Sequence, residues 1–236
     1  MQLTGRVQAT FTDRIGGTSS GPYDSRNLGG TCGDAFAVVL RNRHKTACDL
    51  GLDPERVVFM NQVHGADVRY VTGPVGDEPL DAVFTDQPGL ALAVLVADCG
   101  PVLLADPVAG LVGAAHSGRV GTELGVVPAL VEAMTGAGAD PGRMTAMIGP
   151  LACGGCYEVP LGLREAMARL VPGSAGTTRE GTPSIDLRAA ITAQLGRWGV
   201  TDIRHDDRCT LESPELYSHR RDQPTGRFAG YVWLGP

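Results

Sequence analysis

Seven short apolar runs separated by turn signals dominate the middle of the chain. They are rich in Val, Leu and Ala and lie at residues 56–60, 66–71, 81–85, 90–97, 102–107, 111–116 and 144–149. Runs of this length and composition predict strands, several of them buried on both faces. The Asp-Pro pair at 106–107 and the Ala-Gly pair at 109–110 predict a hairpin turn, and residues 227–234 predict a C-terminal strand.

Helical spacing of apolar residues recurs in four further segments. The predicted helices cover residues 34–51, 120–136, 161–171 and 186–199. Asp34 and Asp186 are the predicted N-caps, and Gly51 and Gly199 are the predicted stops. Because strands and helices mix without strict alternation, the predicted fold class is α+β (mixed α/β), with mixed β-sheets packed together and helices on the outside.

The segments richest in Gly, Pro and small polar residues, 73–79 and 172–184, are predicted surface loops. Neither separates two convincing cores, so the whole chain, residues 1–236, is predicted to form a single domain. Its 236 residues are 43% hydrophobic and 19% charged, which is enough apolar material for a sizeable core.

Charge and cysteine content exclude several classes of protein. A formal net charge of −6 argues against a protein that binds duplex nucleic acid. The N-terminus lacks the features of a secretory signal and no apolar run has the length of a membrane span, so the protein is predicted to be cytoplasmic and not to bind membranes. In that reducing compartment the six cysteines are predicted to be thiols, metal ligands or nucleophiles.

Three side chains with strong metal-binding or catalytic chemistry each follow an apolar run. They are His64 in "NQVHGADV", Cys99 in "ADCG" and His116 in "GAAHSG". The end of a strand is where a sheet presents functional groups on a rigid support. Together they form a Cys-His-His set that suits zinc or copper and leaves a fourth coordination position open. The competing interpretation is a nucleophile–base pair of Cys99 and His116, which leaves His64 without a role.

Other polar clusters carry weaker signals. "CGGC" at 153–156 is predicted to be a glycine-rich turn with incidental thiols, because the chain has no second CxxC. Arg220, Arg221 and Arg227 lie close together near the C-terminus and are candidate ligands for an anion, since guanidinium groups match phosphate geometry. Asn27, in a turn rich in Gly, either supports left-handed backbone or binds substrate.

Eight segments extend these motifs over nearly the whole chain. They read "GPYDSRNLG", "NRHKTACDLGL", "NQVHGADV", "DAVFTDQPGLALAVLVADCGPVLLADP", "GAAHSGR", "IGPLACGGCYEV", "IDLRAAITAQLGRWGV" and "DRCT…ELYSHRRDQPTGRFAGYVWL". In this order and spacing they resemble the laccase-domain family, also called YfiH-like. The family's metal triad falls on His64, Cys99 and His116. The family usually has Trp-Arg-Gly after the second histidine, whereas this chain reads "AHSGRVG", without the Trp and with Arg119 one place early.

The resemblance implies a zinc-dependent purine nucleoside phosphorylase that acts on adenosine, inosine, guanosine and methylthioadenosine and also deaminates adenosine. Zn²⁺, or alternatively Cu²⁺, is the expected cofactor, and a purine nucleoside and phosphate are the expected small-molecule partners. Cys99, Asp98 and Arg119 are the expected catalytic residues, with Asp98 as the general acid–base for attack by a metal-activated water. The expected substrate-binding residues are Asn27, Gln62, Arg220, Arg221 and Arg227.

Two other functions stay open at this point. Older descriptions of the family imply a copper-dependent polyphenol oxidase, although a multicopper enzyme needs more than the five histidines of this chain. The family's likeness to Cys-His deamidases and its links to peptidoglycan imply instead a cysteine-type hydrolase or a peptidoglycan-precursor editing factor. A metal-binding module without enzymatic activity is the third alternative.

Overall fold

Two β-sheets form the frame of the molecule, in a computed structural model that describes residues 2–235. The five-stranded sheet has the order β1-β2-β13-β6-β3, with β1 at Gln2–Thr4, β2 at Val7–Phe11, β13 at Phe228–Leu234, β6 at Ala91–Val96 and β3 at Val57–Phe59. The six-stranded sheet has the order β12-β9-β7-β8-β5-β4, with β12 at Asp202–His205, β9 at Thr145–Ile148, β7 at Gly100–Asp106, β8 at Leu111–Ser117, β5 at Ala82–Thr85 and β4 at Val68–Tyr70. Each sheet mixes parallel and antiparallel pairs.

The alternation of side chains along β7 shows how the layers pack. Val102 and Leu104 belong to a core shared with the helices, whereas Leu103 and Ala105 belong to a core shared with the other sheet. Because successive side chains of a strand point to opposite faces, a strand between two layers must be apolar at every position. This explains the continuous apolar runs of the sequence.

Five α-helices cover the outer faces of the sheets. They are α1 at Phe36–Asp49, α2 at Arg119–Leu124, α3 at Val126–Gly136, α4 at Leu161–Leu170 and α5 at Leu187–Arg197. Helices α3 and α5 pack on the six-stranded sheet, and α1 packs on the five-stranded sheet. This arrangement of mixed sheets with helices outside confirms the predicted fold class.

The helix boundaries follow most of the predicted signals. Asp186 caps α5 by accepting a hydrogen bond from the backbone N–H of Ala189 at 2.9 Å, and Gly199 (φ +86°) follows its end. The prediction that Asp34 is the N-cap of α1 is wrong, because the N-cap residue is Ala35. The carboxylate of Asp34 instead accepts hydrogen bonds from Ser19 Oγ at 2.6 Å and Asn27 Nδ2 at 3.1 Å.

Two segments differ from the sequence prediction. The single helix predicted for 120–136 is divided into α2 and α3 by Gly125, whose φ of +81° lies outside the helical region. The predicted loop 172–184 contains a hairpin formed by β10, Ala175–Thr177, and β11, Pro183–Ile185. Its strands are three residues long and carry no apolar alternation, so their pairing leaves little signal in the sequence.

Candidate metal centre and cavity

A cavity of about 960 Å³ is lined by residues from both sheets and from the loops that follow their strands. Most of the side chains singled out in the sequence line it: Gln62, His64, Asp98, Cys99, His116, Arg119, Arg220 and Arg227. A concave site with a few convergent polar groups is the usual form of a small-molecule pocket.

His64, Cys99 and His116 come together on one wall of this cavity. Their candidate ligand atoms all lie within 4.8 Å of one another, and Cys99 Sγ is 3.8 Å from His64 Nε2. The centroids of the two imidazole rings are 4.7 Å apart. His64 lies in the loop after β3, Cys99 in the tight turn between β6 and β7, and His116 near the end of β8. Elements distant in sequence thus bring the three groups to one point.

The backbone around these residues is unusual. His64 has a φ of +63° and Asp98 a φ of +91°, the only two non-glycine residues with positive φ among residues 2–235. This region of backbone space is costly for residues with a Cβ and is often found at functional sites. Asp98 is held there by two hydrogen bonds to its carboxylate, from Thr210 Oγ1 at 2.6 Å and from the backbone N–H of Arg220 at 2.8 Å.

Gly118 leaves the space that the three groups need. A Cβ at this position would lie 2.7 Å from Cys99 Sγ and 3.1 Å from His64 Cδ2. Any larger residue would therefore push the thiol and the imidazole out of place. The Ser-Gly pair after His116 in the sequence thus has a steric reason.

Asp81 organises the site from behind, and the sequence analysis missed this role. Its fully buried carboxylate accepts hydrogen bonds from three consecutive backbone N–H groups, at 3.1 Å from Val63, 3.0 Å from His64 and 2.6 Å from Gly65. It also accepts a hydrogen bond from His116 Nδ1 at 2.8 Å. The signal available in the sequence was an acidic residue directly before the strand "AVFT", which is buried at every position.

This hydrogen bond decides which atom His116 offers to the cavity. With Nδ1 engaged by Asp81, Nε2 is the nitrogen free for a ligand, and a carboxylate behind a histidine is the usual support of a metal-bound imidazole. Two imidazoles and one thiolate also match the donors that zinc and copper prefer. The residues present therefore fit a transition-metal ion.

The same groups influence one another's protonation. Burial alone would raise the pKa of Cys99, but the charge of His116 and hydrogen bonds from His116 and His64 outweigh it and lower this pKa to about 6. Burial would lower the pKa of His116, but the thiolate of Cys99 and the hydrogen bond to Asp81 raise it to about 9. In the absence of metal the pair is thus a thiolate beside an imidazolium.

The four predicted arginines are placed differently. Arg119 lines the cavity and pairs with Glu123 at 2.8 Å, and Arg220 lines it with its guanidinium 4.6 Å from the centre of the Tyr157 ring. Arg227 also lines the cavity, although its Nη1 donates to the carbonyl oxygens of Thr225 and Gly226.

Arg221 is turned into the protein rather than towards the metal centre. Its guanidinium donates to the carbonyl oxygens of Thr210, Ser213 and Leu216 and pairs with Asp222. These contacts hold the loop before β13 in shape. Arg221, which the sequence analysis grouped with the substrate-binding arginines, is thus not among the residues that line the cavity.

The two predicted substrate-binding amides are also engaged by backbone groups. The side chain of Gln62 exchanges two hydrogen bonds with the backbone of Leu95, at 2.7 and 2.8 Å. Asn27 is fully buried, and its Oδ1 accepts from the backbone N–H groups of Gly29 and Arg227, each at 2.9 Å. Both amides position the walls of the cavity, and only Gln62 lines it directly.

Comparison with known proteins finds relatives over nearly the whole chain. The sequence model of a family described as multi-copper polyphenol oxidoreductase laccase matches residues 8–235. A Streptomyces griseus protein named purine nucleoside phosphorylase ORF3 is 56% identical, over 98% of this chain and 96% of its own length. The Escherichia coli protein named purine nucleoside phosphorylase YfiH is 38% identical, over 97% of this chain and 94% of its own.

A solved structure shows the same architecture. The crystal structure of YlmD from Geobacillus stearothermophilus superposes with a TM-score of 0.89 at 33% identity, covering 98% of this chain and 93% of that one. Fold and site together define a mixed α/β protein with a His-Cys-His group in a cavity. The chain belongs to the laccase-domain, or YfiH-like, family, which confirms the resemblance seen in the sequence. No helix within residues 2–235 is both long enough and apolar enough to cross a bilayer.

Proposed function

We propose that this protein is a zinc-dependent purine nucleoside phosphorylase that acts on adenosine, inosine, guanosine and methylthioadenosine and also deaminates adenosine. The observation that carries the proposal is the His64, Cys99 and His116 group, which opens on a cavity of about 960 Å³ that arginines also line. The names of the Streptomyces and Escherichia relatives support purine nucleosides and phosphate as the class of substrates.

The three donors of this group would hold the zinc ion. When bound, zinc would lower the pKa of water, which is the chemistry that deamination needs, and would act as a Lewis acid towards the phosphate or the departing purine in phosphorolysis. Cys99 contributes the negative charge of the donor set, and Asp81 orients His116 through its Nδ1. Three ligands on one wall leave room for substrate on the cavity side, as in other catalytic zinc sites.

Phosphate binding is assigned to the arginines that line the cavity. Phosphorolysis requires a phosphate dianion to reach C1′ of the ribose inside an acidic protein, so a local positive charge is needed. Arg119 and Arg220 supply it, since guanidinium keeps its charge and binds two oxygens at once. One nitrogen of Arg220 donates to the Glu158 carbonyl at 2.8 Å, which orients the side chain above the Tyr157 ring.

Asp98 has a double role in this proposal. As the general acid–base it would move the proton that accompanies attack of water on C6 of adenine. Its two hydrogen bonds, from Thr210 and from the backbone of Arg220, already tie it to the segment that carries the phosphate-binding arginine. The carboxylate is therefore also a positioning group for that segment.

The test is an assay of adenosine with and without phosphate, combined with metal analysis of the purified protein. Adenine release that requires phosphate supports phosphorolysis, and ammonia release without phosphate supports deamination. Cys99→Ala should abolish both reactions, whereas Cys48→Ala, on the exposed face of α1, should leave them intact. Wild-type protein with a full complement of zinc and neither reaction would refute the proposal.

A cysteine-type hydrolase is the second candidate, because Asp81, His116 and Cys99 also form a chain of acid, base and nucleophile. Such an enzyme works without metal and loses activity to iodoacetamide. Chelator separates the two candidates, since it inactivates the phosphorylase and leaves the hydrolase active. The copper polyphenol oxidase named in the family description is tested by oxygen consumption of the copper-loaded protein with a phenol.

A further inference from the structure

A second group of metal-binding side chains lies behind the cavity wall. Cys153, Cys156, Cys209 and Glu212 offer three sulfur atoms and a carboxylate oxygen that all lie within 4.8 Å of one another. None of these residues takes part in the proposed reaction. We name this group the three-cysteine cluster, and we propose that it binds a structural Zn²⁺ ion independently of the His64, Cys99 and His116 site.

Two turns of the same form deliver the four side chains. In the first turn the Cys153 carbonyl accepts hydrogen bonds from the N–H groups of Cys156 and Tyr157, each at 2.9 Å. In the second turn the Cys209 carbonyl accepts from the N–H groups of Glu212 and Ser213, at 3.1 and 2.9 Å. Each turn thus presents residues i and i+3 on the same side, which is the spacing of ligand pairs in structural zinc sites.

The two turns are already joined at the cluster. Leu151 and Cys209 form a parallel β-bridge, and the backbone N–H of Cys153 donates to Cys209 Sγ at 3.4 Å. This N–H group favours the thiolate and partly opposes burial, which raises the pKa of Cys209. Cys209 is buried, so the sulfur that receives this bond is fixed in place.

The local charges also favour a cation. Arg179 lies against the cluster, with its Nη1 2.9 Å from Cys156 Sγ and 2.6 Å from one Glu212 oxygen. Zinc with three thiolates and a carboxylate has a net charge of −2, and the guanidinium of Arg179 halves it. Arg179 is more than half exposed, so it has room to move when Glu212 turns to the ion.

The distances require only small adjustments. Sulfur ligands of one tetrahedral zinc lie about 3.8 Å apart, because each Zn–S bond is about 2.3 Å long. Cys153 Sγ is 3.9 Å from Glu212 Oε2, where zinc needs about 3.5 Å because a Zn–O bond is shorter than a Zn–S bond, and all four candidate ligand atoms lie within 4.8 Å of one another. Binding would displace the thiol protons to solvent and form three Zn–S bonds and one Zn–O bond. The absence of a second CxxC in the sequence concealed the site, because its second half is the pair Cys209 and Glu212.

Metal analysis of the full-length protein tests the proposal. Zinc is counted per chain in wild type, Cys156→Ser, Cys99→Ala and the double variant after removal of loosely bound ions. We expect Cys156→Ser to lose one equivalent relative to its parent in both backgrounds, and Cys48→Ser, on α1, to lose none. The loss is measured as the difference in zinc content between each variant and its parent, so it does not depend on what the Cys99 site holds. The result therefore stands even if the proposed function fails.

Cobalt substitution then identifies the ligands. In the Cys99→Ala background, thiolate-to-cobalt absorption should appear on addition of Co²⁺. Cys153→Ser should weaken cobalt binding, and at saturating Co²⁺ its absorption should be about one third lower, because one of three thiolates is missing. Glu212→Gln, a milder change, should keep the absorption and weaken affinity by about tenfold or more. Chelation should lower the Tm of wild type more than that of Cys156→Ser, because only wild type loses the structural ion.

Three results would overturn the proposal. The first is an equal metal content in wild type and Cys156→Ser, both of them folded by circular dichroism. The second is a disulfide among the three cysteines, seen by mass spectrometry of the unreduced protein. The third is a cluster stabilised by Arg179 instead of by zinc. In that case Arg179→Gln would destabilise the protein, and the wild-type cluster would bind no metal ion.

Discussion

The two groups of metal-binding side chains differ in how the fold supports them. His64, Cys99 and His116 lie at the ends of three chain segments anchored in both sheets, with a carboxylate behind and a cavity in front. The three-cysteine cluster lies on two short turns, and none of its four donors lines that cavity. Three donors facing a cavity suit catalysis, and four donors closing on one another suit stability. Donor number and surroundings, as well as donor type, thus distinguish the two sites.

The largest expected effect is the difference in activity between variants that lack a cysteine of the first site and variants that lack a cysteine of the second. Cys99→Ala should abolish phosphorolysis and remove one equivalent of metal, since it deletes the charged donor of the catalytic group. Cys156→Ser should remove one equivalent as well but retain at least about half of the activity, because its ligand atoms do not face the substrate. Initial rates and metal content measured on the same preparations decide this. If both variants are equally inactive although folded, the division into a catalytic and a structural site is wrong.

The second effect concerns Asp81, the buried carboxylate that supports only the first site. Asp81→Asn keeps the size of the side chain but places an amide N–H₂ among three backbone N–H donors and His116. Loss of such a carboxylate typically weakens metal binding or activity 10–100-fold, and an unsatisfied buried donor costs about 1–3 kcal/mol of stability.

Zinc competition titration of the Asp81→Asn protein measures the affinity. Asp53→Asn, which changes an exposed carboxylate at a short turn, is the control and should bind zinc like wild type. An unchanged affinity in Asp81→Asn would show that His116 does not need orientation by this carboxylate.

The third effect is steric and acts on the catalytic group alone. Gly118→Ala brings a methyl group to 2.7 Å from Cys99 Sγ, so the thiol must shift and activity should fall about 10–100-fold. Gly162→Ala, at an exposed helical position with no atom within 4 Å, is the matched control and should stabilise the protein by about 0.5–1 kcal/mol. Activity and Tm are measured for both. Full activity in Gly118→Ala would mean that the thiol has more freedom than its contacts indicate.

The two sites also differ in how much of them the sequence reveals. His64, Cys99 and His116 each end or follow a short apolar run, and these runs alone predict that the three side chains lie near the ends of strands. Asp81 shows the limit of this reasoning, because its role depends on the loop at 63–65 folding over its carboxylate, which no local pattern encodes. The three-cysteine cluster is still harder to predict from sequence. Cys153 and Cys209 are 56 residues apart, and a β-bridge between two irregular segments brings them together.

The strands and helices, like the site residues, could be predicted only where they leave a local pattern in the sequence. The strands that are apolar on both faces could be predicted, because burial in two cores leaves continuous hydrophobic runs. Strands at the edge of a sheet, such as β1 and β12, and the hairpin of β10 and β11 have few buried side chains and were missed. The break at Gly125 was missed because a glycine inside an apolar helical pattern is compatible with both a continuous and a divided helix.

The smallest effect tests whether the two sites are independent, and it depends on Arg220. Its backbone N–H donates to Asp98, the neighbour of Cys99, and its guanidinium lies over Tyr157, the neighbour of Cys156. Arg220→Ala keeps the backbone bond and removes only the guanidinium. We expect the KM for phosphate to rise about tenfold, since a charge-assisted hydrogen bond contributes about 1.5–3 kcal/mol, while deamination, which uses water, changes less. Arg220→Lys should restore part of the loss, because it keeps the charge but not the planar fork.

Arg221→Ala is the control for this variant. Its guanidinium holds three carbonyl oxygens inside the loop, so its loss should lower Tm without a specific effect on the KM for phosphate. If Arg220→Ala leaves the KM unchanged and lowers phosphorolysis and deamination equally, Arg220 is a brace of the cavity wall rather than a phosphate ligand. If it also releases metal from the three-cysteine cluster, the stacking on Tyr157 couples the two sites, and the wall between them behaves as one unit.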